Sequence, residues 1–105
     1  MTRQLYYILN AAGEPIAIDD VLEWSRWFHL ADRHVNFTTI KPDEIQVSTV
    51  FLGLNHRFVD RDDRPLLWET LVFGGPLDGE MDRYATRDEA VEGHQTIVAR
   101  VRAAL

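Results

Sequence analysis

Four histidines, His29, His34, His56 and His94, are the side chains of this sequence best suited to moving protons or holding a metal. No two of them stand four residues apart, and no His-Glu-x-x-His run occurs, so ligand spacing for a metal is absent. His29 and His34 read as polarity near the end of a helix, where a histidine is favoured. His94 falls on the apolar stripe of the last helix and reads as a hydrogen-bonded core residue. Glu69 lies in an apolar run, where a carboxylate needs a partner such as Arg57, Arg83 or a histidine. His56 or His94 with Glu69 would be the acid–base set of a small enzyme. A nucleophile context is missing: Ser48 and Thr49 have no Gly-x-Ser-x-Gly frame, and no glycine-rich phosphate loop is present. The acidic run Asp60-Arg-Asp-Asp63 lacks the glycine and terminal glutamate of a calcium loop and reads as a solvated loop. The expectation is a protein that is not an enzyme and uses neither metal nor cofactor.

Arginines next to aromatic rings offer a second chemistry. Phe73, Arg83, Tyr84, Arg100 and Arg102 lie in the C-terminal third with Arg87. A guanidinium pairs a phosphate through two hydrogen bonds, and a ring stacks a base, so these five are the candidate ligand-binding residues. The competing reading of Arg100 and Arg102 is favourable positive charge at a helix C-terminus.

The elements that must position these residues read as follows. Val47–His56 is apolar at nearly every step and predicts a central strand buried on both faces. Leu66–Phe73 predicts a second central strand. Residues 5–9 and 15–18 predict short strands around a turn at 10–14, the second at an edge because it starts with proline. Asp20 and Glu23 have capping-box spacing and open a helix carrying Val21, Trp24, Trp27, Phe28 and Ala31 at helical intervals. Residues 35–41 predict a strand, Pro42-Asp43 a type I turn, and 80–85 an outer strand. Thr86-Arg-Asp-Glu89 is a capping box that opens the last helix, with Val91, His94, Val98, Val101 and Leu105 as its stripe and Ala90 and Ile97 beside it. Strand, helix, hairpin, hairpin and helix predict an α+β fold: an antiparallel sheet of about five or six strands with two helices mainly on one face.

The chain's 105 residues make one domain, residues 1–105. It has no cysteine, which points to a reducing, cytoplasmic home. No run approaches a membrane span in length, and a signal peptide's apolar stretch is missing at the N-terminus. The net charge of −6 argues against sequence-independent DNA binding. Two helices can cover one face of such a sheet, and the central strands offer apolar groups on two. The surplus, with Trp24, Trp27 and Phe28, predicts a homo-oligomer, a dimer or higher, or a host-protein contact.

Val47-Ser-Thr-Val-Phe-Leu-Gly-Leu-Asn-His56, Trp68-Glu-Thr-Leu-Val-Phe-Gly-Gly75 and Asp78-Gly-Glu-Met-Asp-Arg-Tyr84 resemble a widespread family of small phage and prophage proteins. Glu23-Trp-Ser-Arg-Trp-Phe28 and Ala31-Asp-Arg33 extend the resemblance over almost the whole chain. In length and order of elements the chain is also similar to the Thoeris anti-defence sponges, oligomers that sequester cyclic ADP-ribose signals and related cyclic nucleotides. That likeness implies a non-enzymatic phage protein in the host cytoplasm that sequesters a cyclic nucleotide or cyclic ADP-ribose signal at a subunit interface. The alternative is a phage protein-interaction module that inhibits or modulates a host protein.

Overall fold

The computed structural model describes residues 4–57 and 64–105. The acidic run 60–63 lies outside the described residues. The fold is α+β, with six antiparallel strands and two helices among the described residues. The strands are β1 (Tyr7–Leu9), β2 (Pro15–Ala17), β3 (His34–Ile40), β4 (Ile45–Phe51), β5 (Trp68–Phe73) and β6 (Met81–Tyr84). The helices are α1 (Val21–Leu30) and α2 (Arg87–Ala103). The strands divide into a two-stranded sheet, β1-β2, and a four-stranded sheet in the order β3-β4-β5-β6.

Both helices begin where the sequence says they should. Asp20 accepts from the backbone N–H groups of Leu22 and Glu23 at the start of α1. Thr86 Oγ1 accepts from the Glu89 N–H at 3.1 Å and donates to Glu89 Oε1 at 3.0 Å at the start of α2. These contacts satisfy backbone donors that no preceding turn can reach. The buried face of α2 is Ala90, His94, Ile97, Val98 and Val101. Val91 and Leu105, expected in the stripe, are exposed, so the stripe is rotated slightly from the one predicted.

The turn expected at Pro42-Asp43 joins β3 to β4 over residues 41–44. The Lys41–Pro42 bond is cis and Glu44 has a φ of 54°.

The central strand is covered on one face only, which corrects the expectation of burial on two. Ile45, Val47, Thr49 and Phe51 are buried, while Gln46 is exposed and Ser48 and Val50 are half-buried. The cause lies in the layering. Helix α2 packs on β3 to β6, and Ile97, Val98 and Val101 meet Ile40, Ile45, Val47 and Val72 there. Trp27 of α1 meets the ring edge of Phe51 at 5.8 Å, on the same side of the sheet. With both helices on one side, no helix among the described residues covers the other.

The aromatic residues of α1 are held inside the chain. Trp24 donates its indole N–H to the Gly53 carbonyl at 3.0 Å and lies 4.8 Å from Phe28 and 5.1 Å from Tyr6. Arg33 sits 3.9 Å over the Phe28 ring. Gly53 permits this close approach: its φ is +74°, and a Cβ there would lie 3.2 Å from Trp24 Nε1. Trp24, Trp27 and Phe28 are thus half-buried packing residues rather than the free contact surface expected.

Candidate functional site: the open face of the sheet

Strand register defines what the bare face carries. Successive side chains alternate between the two faces, so the partners of Ser48 and Val50 share their side. Phe37, Ser48, Leu71 and Met81 form one row across the four strands. His34, Val50, Glu69 and Arg83 form the next row on one side. Thr39, Gln46 and Phe73 form the row on the other. Phe37 is 50% exposed, Phe73 47% and Met81 45%, although all three are large and apolar. A sheet face that meets water ordinarily carries polar side chains at alternate positions.

The charge on this face is balanced locally. Arg83 Nε donates to Glu69 Oε2 at 3.0 Å, and both side chains are largely buried. Glu69 therefore has the arginine partner that its place in the strand demanded. His56 stands near this pair; burial and the Arg83 charge push its pKa down, and Glu69 opposes them. His34 lies at the far edge of this row, on β3, and the remaining histidines lie elsewhere. His29 sits in the last turn of α1, as expected. His34 is instead the first residue of β3, where its Nδ1 pairs with Asp32 at 3.1 Å.

The five candidate ligand residues are not brought together within one chain. Phe73 and Arg83 share the open face. Tyr84 follows Arg83 in the same strand and so points to the opposite, helix-covered face, where it is 8% exposed. Its hydroxyl donates to Thr70 Oγ1 at 3.0 Å. Arg100, on the outside of α2, is ion-paired with Glu80. Arg102 is exposed near the end of that helix. The parity of Arg83 and Tyr84 within one strand was the sequence signal that separates them. Phe37 and Met81, which complete the open face, were not among the candidates. Their alternation with Thr38 and Asp82 was visible, but the side the helices would take was not.

His94 is fully buried and holds a polar chain through the core. Its Nδ1 lies 2.7 Å from Thr49 Oγ1 and its Nε2 2.8 Å from Thr38 Oγ1. Thr49 Oγ1 in turn lies 2.5 Å from Thr70 Oγ1, which accepts from Tyr84. A neutral imidazole offers one donor and one acceptor, so either tautomer satisfies both threonines. Burial pushes the His94 pKa below the usual imidazole value of 6.5. The unfolded chain therefore takes up this proton first as pH falls. Stability is full above about pH 6.5 and declines below it, by up to about 1.4 kcal/mol per pH unit, until the folded protein also protonates. Urea unfolding at pH 7.5 and 5.5 tests this: the midpoint should fall with pH, and His94→Gln should lose part of that fall, leaving the share of His56, whose pKa is also lowered.

Among the described residues, no three histidine, aspartate or glutamate side chains come together as a metal site. A cleft of about 410 Å³ lies between the β1–β2 turn and the start of α2, with Trp68, Glu14, Arg87 and Asp88 in its lining. None of the five candidate ligand residues lines it. No described helix is long and apolar enough to cross a membrane. Comparison with protein-family models, with curated proteins and with solved structures finds no match.

Proposed function

We propose that this chain is a non-enzymatic binding module that works through the open face of its four-stranded sheet, with a protein as partner. The observation that carries this reading is the half-exposure of Phe37, Phe73 and Met81 on one face turned away from both helices. Large apolar side chains gathered on one surface mark contact sites, because covering them removes apolar area from water. The chemistry favours protein over nucleic acid. Arg83 is this face's one arginine or lysine in the register rows, and Glu69 already pairs it. A phosphate paired with Arg83 would bring its charge against that carboxylate.

A photo-crosslinking residue placed at Phe73 tests the reading in cells, with the same residue at Leu22 on α1 as control. Discrete adducts from position 73 and none from position 22 support it. No adduct from position 73 in a folded protein defeats it.

A second reading, sequestration of a cyclic nucleotide or cyclic ADP-ribose signal in host defence, is favoured by one observation: Phe73 and Arg83 share the open face. A ring and a guanidinium there could stack a base and pair a phosphate. A thermal-shift panel of cyclic dinucleotides, cyclic trinucleotides and cyclic ADP-ribose isomers tests it. A rise of several degrees that Arg83→Ala abolishes supports sequestration; a flat panel removes it for those ligands.

A further inference from the structure

We infer that the buried hydrogen-bond chain of the core runs one way, from Tyr84 through Thr70 and Thr49 to His94 and out at Thr38. This direction locks the His94 ring beneath α2 in its neutral Nε2–H form. The chain lies on the helix side of the sheet, so it is independent of what the open face binds.

Four links join the five side chains: Tyr84 to Thr70, Thr70 to Thr49, Thr49 to Nδ1, and Nε2 to Thr38. Each of the four hydroxyls brings one proton, and a neutral ring brings a fifth. One proton is left over and needs an acceptor outside the chain. The tautomer decides where it comes out. With the ring proton on Nε2, the ring donates to Thr38 and Nδ1 accepts from Thr49. Thr49 has then spent its proton, so it accepts from Thr70, and Thr70 accepts from Tyr84. The proton left over is that of Thr38. With the ring proton on Nδ1, Thr38 spends its proton on Nε2, and the one left over belongs to Thr49, Thr70 or Tyr84.

The ends of the chain differ in their access to water. Thr38 is half-buried on β3, an outer strand of its sheet, where water can accept its proton. Thr49 and Thr70 are fully buried, and Tyr84 nearly so. Among the described residues these three hydroxyls have no acceptor beyond the links of the chain. A buried donor without an acceptor is costly enough to hold the other tautomer to roughly a tenth or less.

A second proton meets the same obstacle. An imidazolium donates from both nitrogens, which again leaves one proton over among Thr49, Thr70 and Tyr84. Helix α2 packs on β3 to β6, and the groups those strands turn toward the ring are hydroxyls: Thr38 and Thr49 in contact, Thr70 and Tyr84 beyond them. Tyr84 is the titratable one, and burial pushes its pKa up, so it stays a donor. Burial lowers the His94 pKa without a charged neighbour contributing.

Long-range proton–nitrogen NMR of the full chain, labelled with nitrogen-15, reads the tautomer at pH 7.5, because protonated and bare ring nitrogens resonate far apart. The His94 signals are those lost in His94→Gln. If that variant does not fold, His29→Gln, His34→Gln and His56→Gln assign the other three rings and leave His94 by subtraction. The expected pattern is a protonated Nε2 and a bare Nδ1, with the other tautomer below about a tenth. Thr38→Val closes the outlet with a side chain of the same shape, so the preference should shrink severalfold. Tyr84→Phe leaves the outlet open and should keep the preference. A dominant Nδ1–H form, a near-equal mixture or an imidazolium in the parent chain overturns the inference, as does a preference that Thr38→Val leaves intact.

Discussion

Replacing His94 with alanine is expected to lower the unfolding free energy by about 4 kcal/mol, a large share of what a domain of this size has. The imidazole is fully buried and bridges Thr38 and Thr49. Its loss opens a cavity under α2 and takes a partner from the fully buried Thr49 hydroxyl and from the half-buried hydroxyl of Thr38. The two costs can be separated. His94→Leu refills the volume but restores no hydrogen bond, so it should recover roughly 1–2 kcal/mol of the loss. The double variant His94→Leu, Thr38→Val should be less destabilised than the sum of its parts, because a hydroxyl with no partner has also been removed. Urea unfolding of the parent chain, the three single variants His94→Ala, His94→Leu and Thr38→Val, and the double variant at pH 7.5 gives the comparison. An His94→Ala midpoint close to that of the parent chain would mean that the polar chain contributes nothing to holding the core.

The role of His94 was legible in the sequence because position and residue type disagreed. A titratable side chain on an apolar helical stripe had to be bonded or functional, and the absence of any second ligand favoured bonding. The N-caps of α1 and α2, Asp20 and Thr86, were legible because both rest on local contacts within one turn. Layering was not legible. In β4 and β5 both strand faces carry apolar residues, and an apolar run alone does not say which face is covered. The answer depends on α1 and α2 lying on the same side, a long-range fact set by contacts such as Trp27 on Phe51. This is why Val47–His56 reads as doubly buried, and why the surplus apolar surface was sought on α1 rather than on Phe37, Phe73 and Met81. Within one chain the candidate ligand residues lie apart, because nearness in sequence is not nearness in space. Arg83 and Tyr84 are adjacent in the chain and on opposite faces of β6. Arg100 finds Glu80 from the neighbouring layer, a contact that no spacing rule announces.

Gly93→Ala is expected to destabilise the protein by about 2 kcal/mol, although helix propensity alone predicts a gain of up to about 1 kcal/mol. Gly93 lies inside α2, where a glycine lacks any turn to serve. Its reason is a neighbour: a Cβ there would sit within contact distance of the Cε1, Cζ and hydroxyl of Tyr84. That ring has little freedom to withdraw. It is 8% exposed, packs in the cluster of Phe51, Leu67, Trp68 and Ala90, and donates its hydroxyl to Thr70. Either the helix moves off the sheet or the ring gives up its bond to the polar chain that ends at His94. Both outcomes loosen the seam between α2 and β6, and the melting temperature should drop by roughly 8–10 °C. Thr96→Ala, at an exposed site of the same helix, supplies the contrast: it meets no packed ring and gives up only an exposed hydrogen bond from its hydroxyl to the Glu92 carbonyl, so the gain in propensity should leave it neutral or slightly stabilised. Coupling gives the sharper measurement. In a Tyr84→Leu background the obstructing ring is gone, so Gly93→Ala should lose most of its cost and recover its helical gain, an interaction of at least about 1.5 kcal/mol. An alanine at 93 that stabilises the parent chain would mean that α2 does not approach β6 this closely.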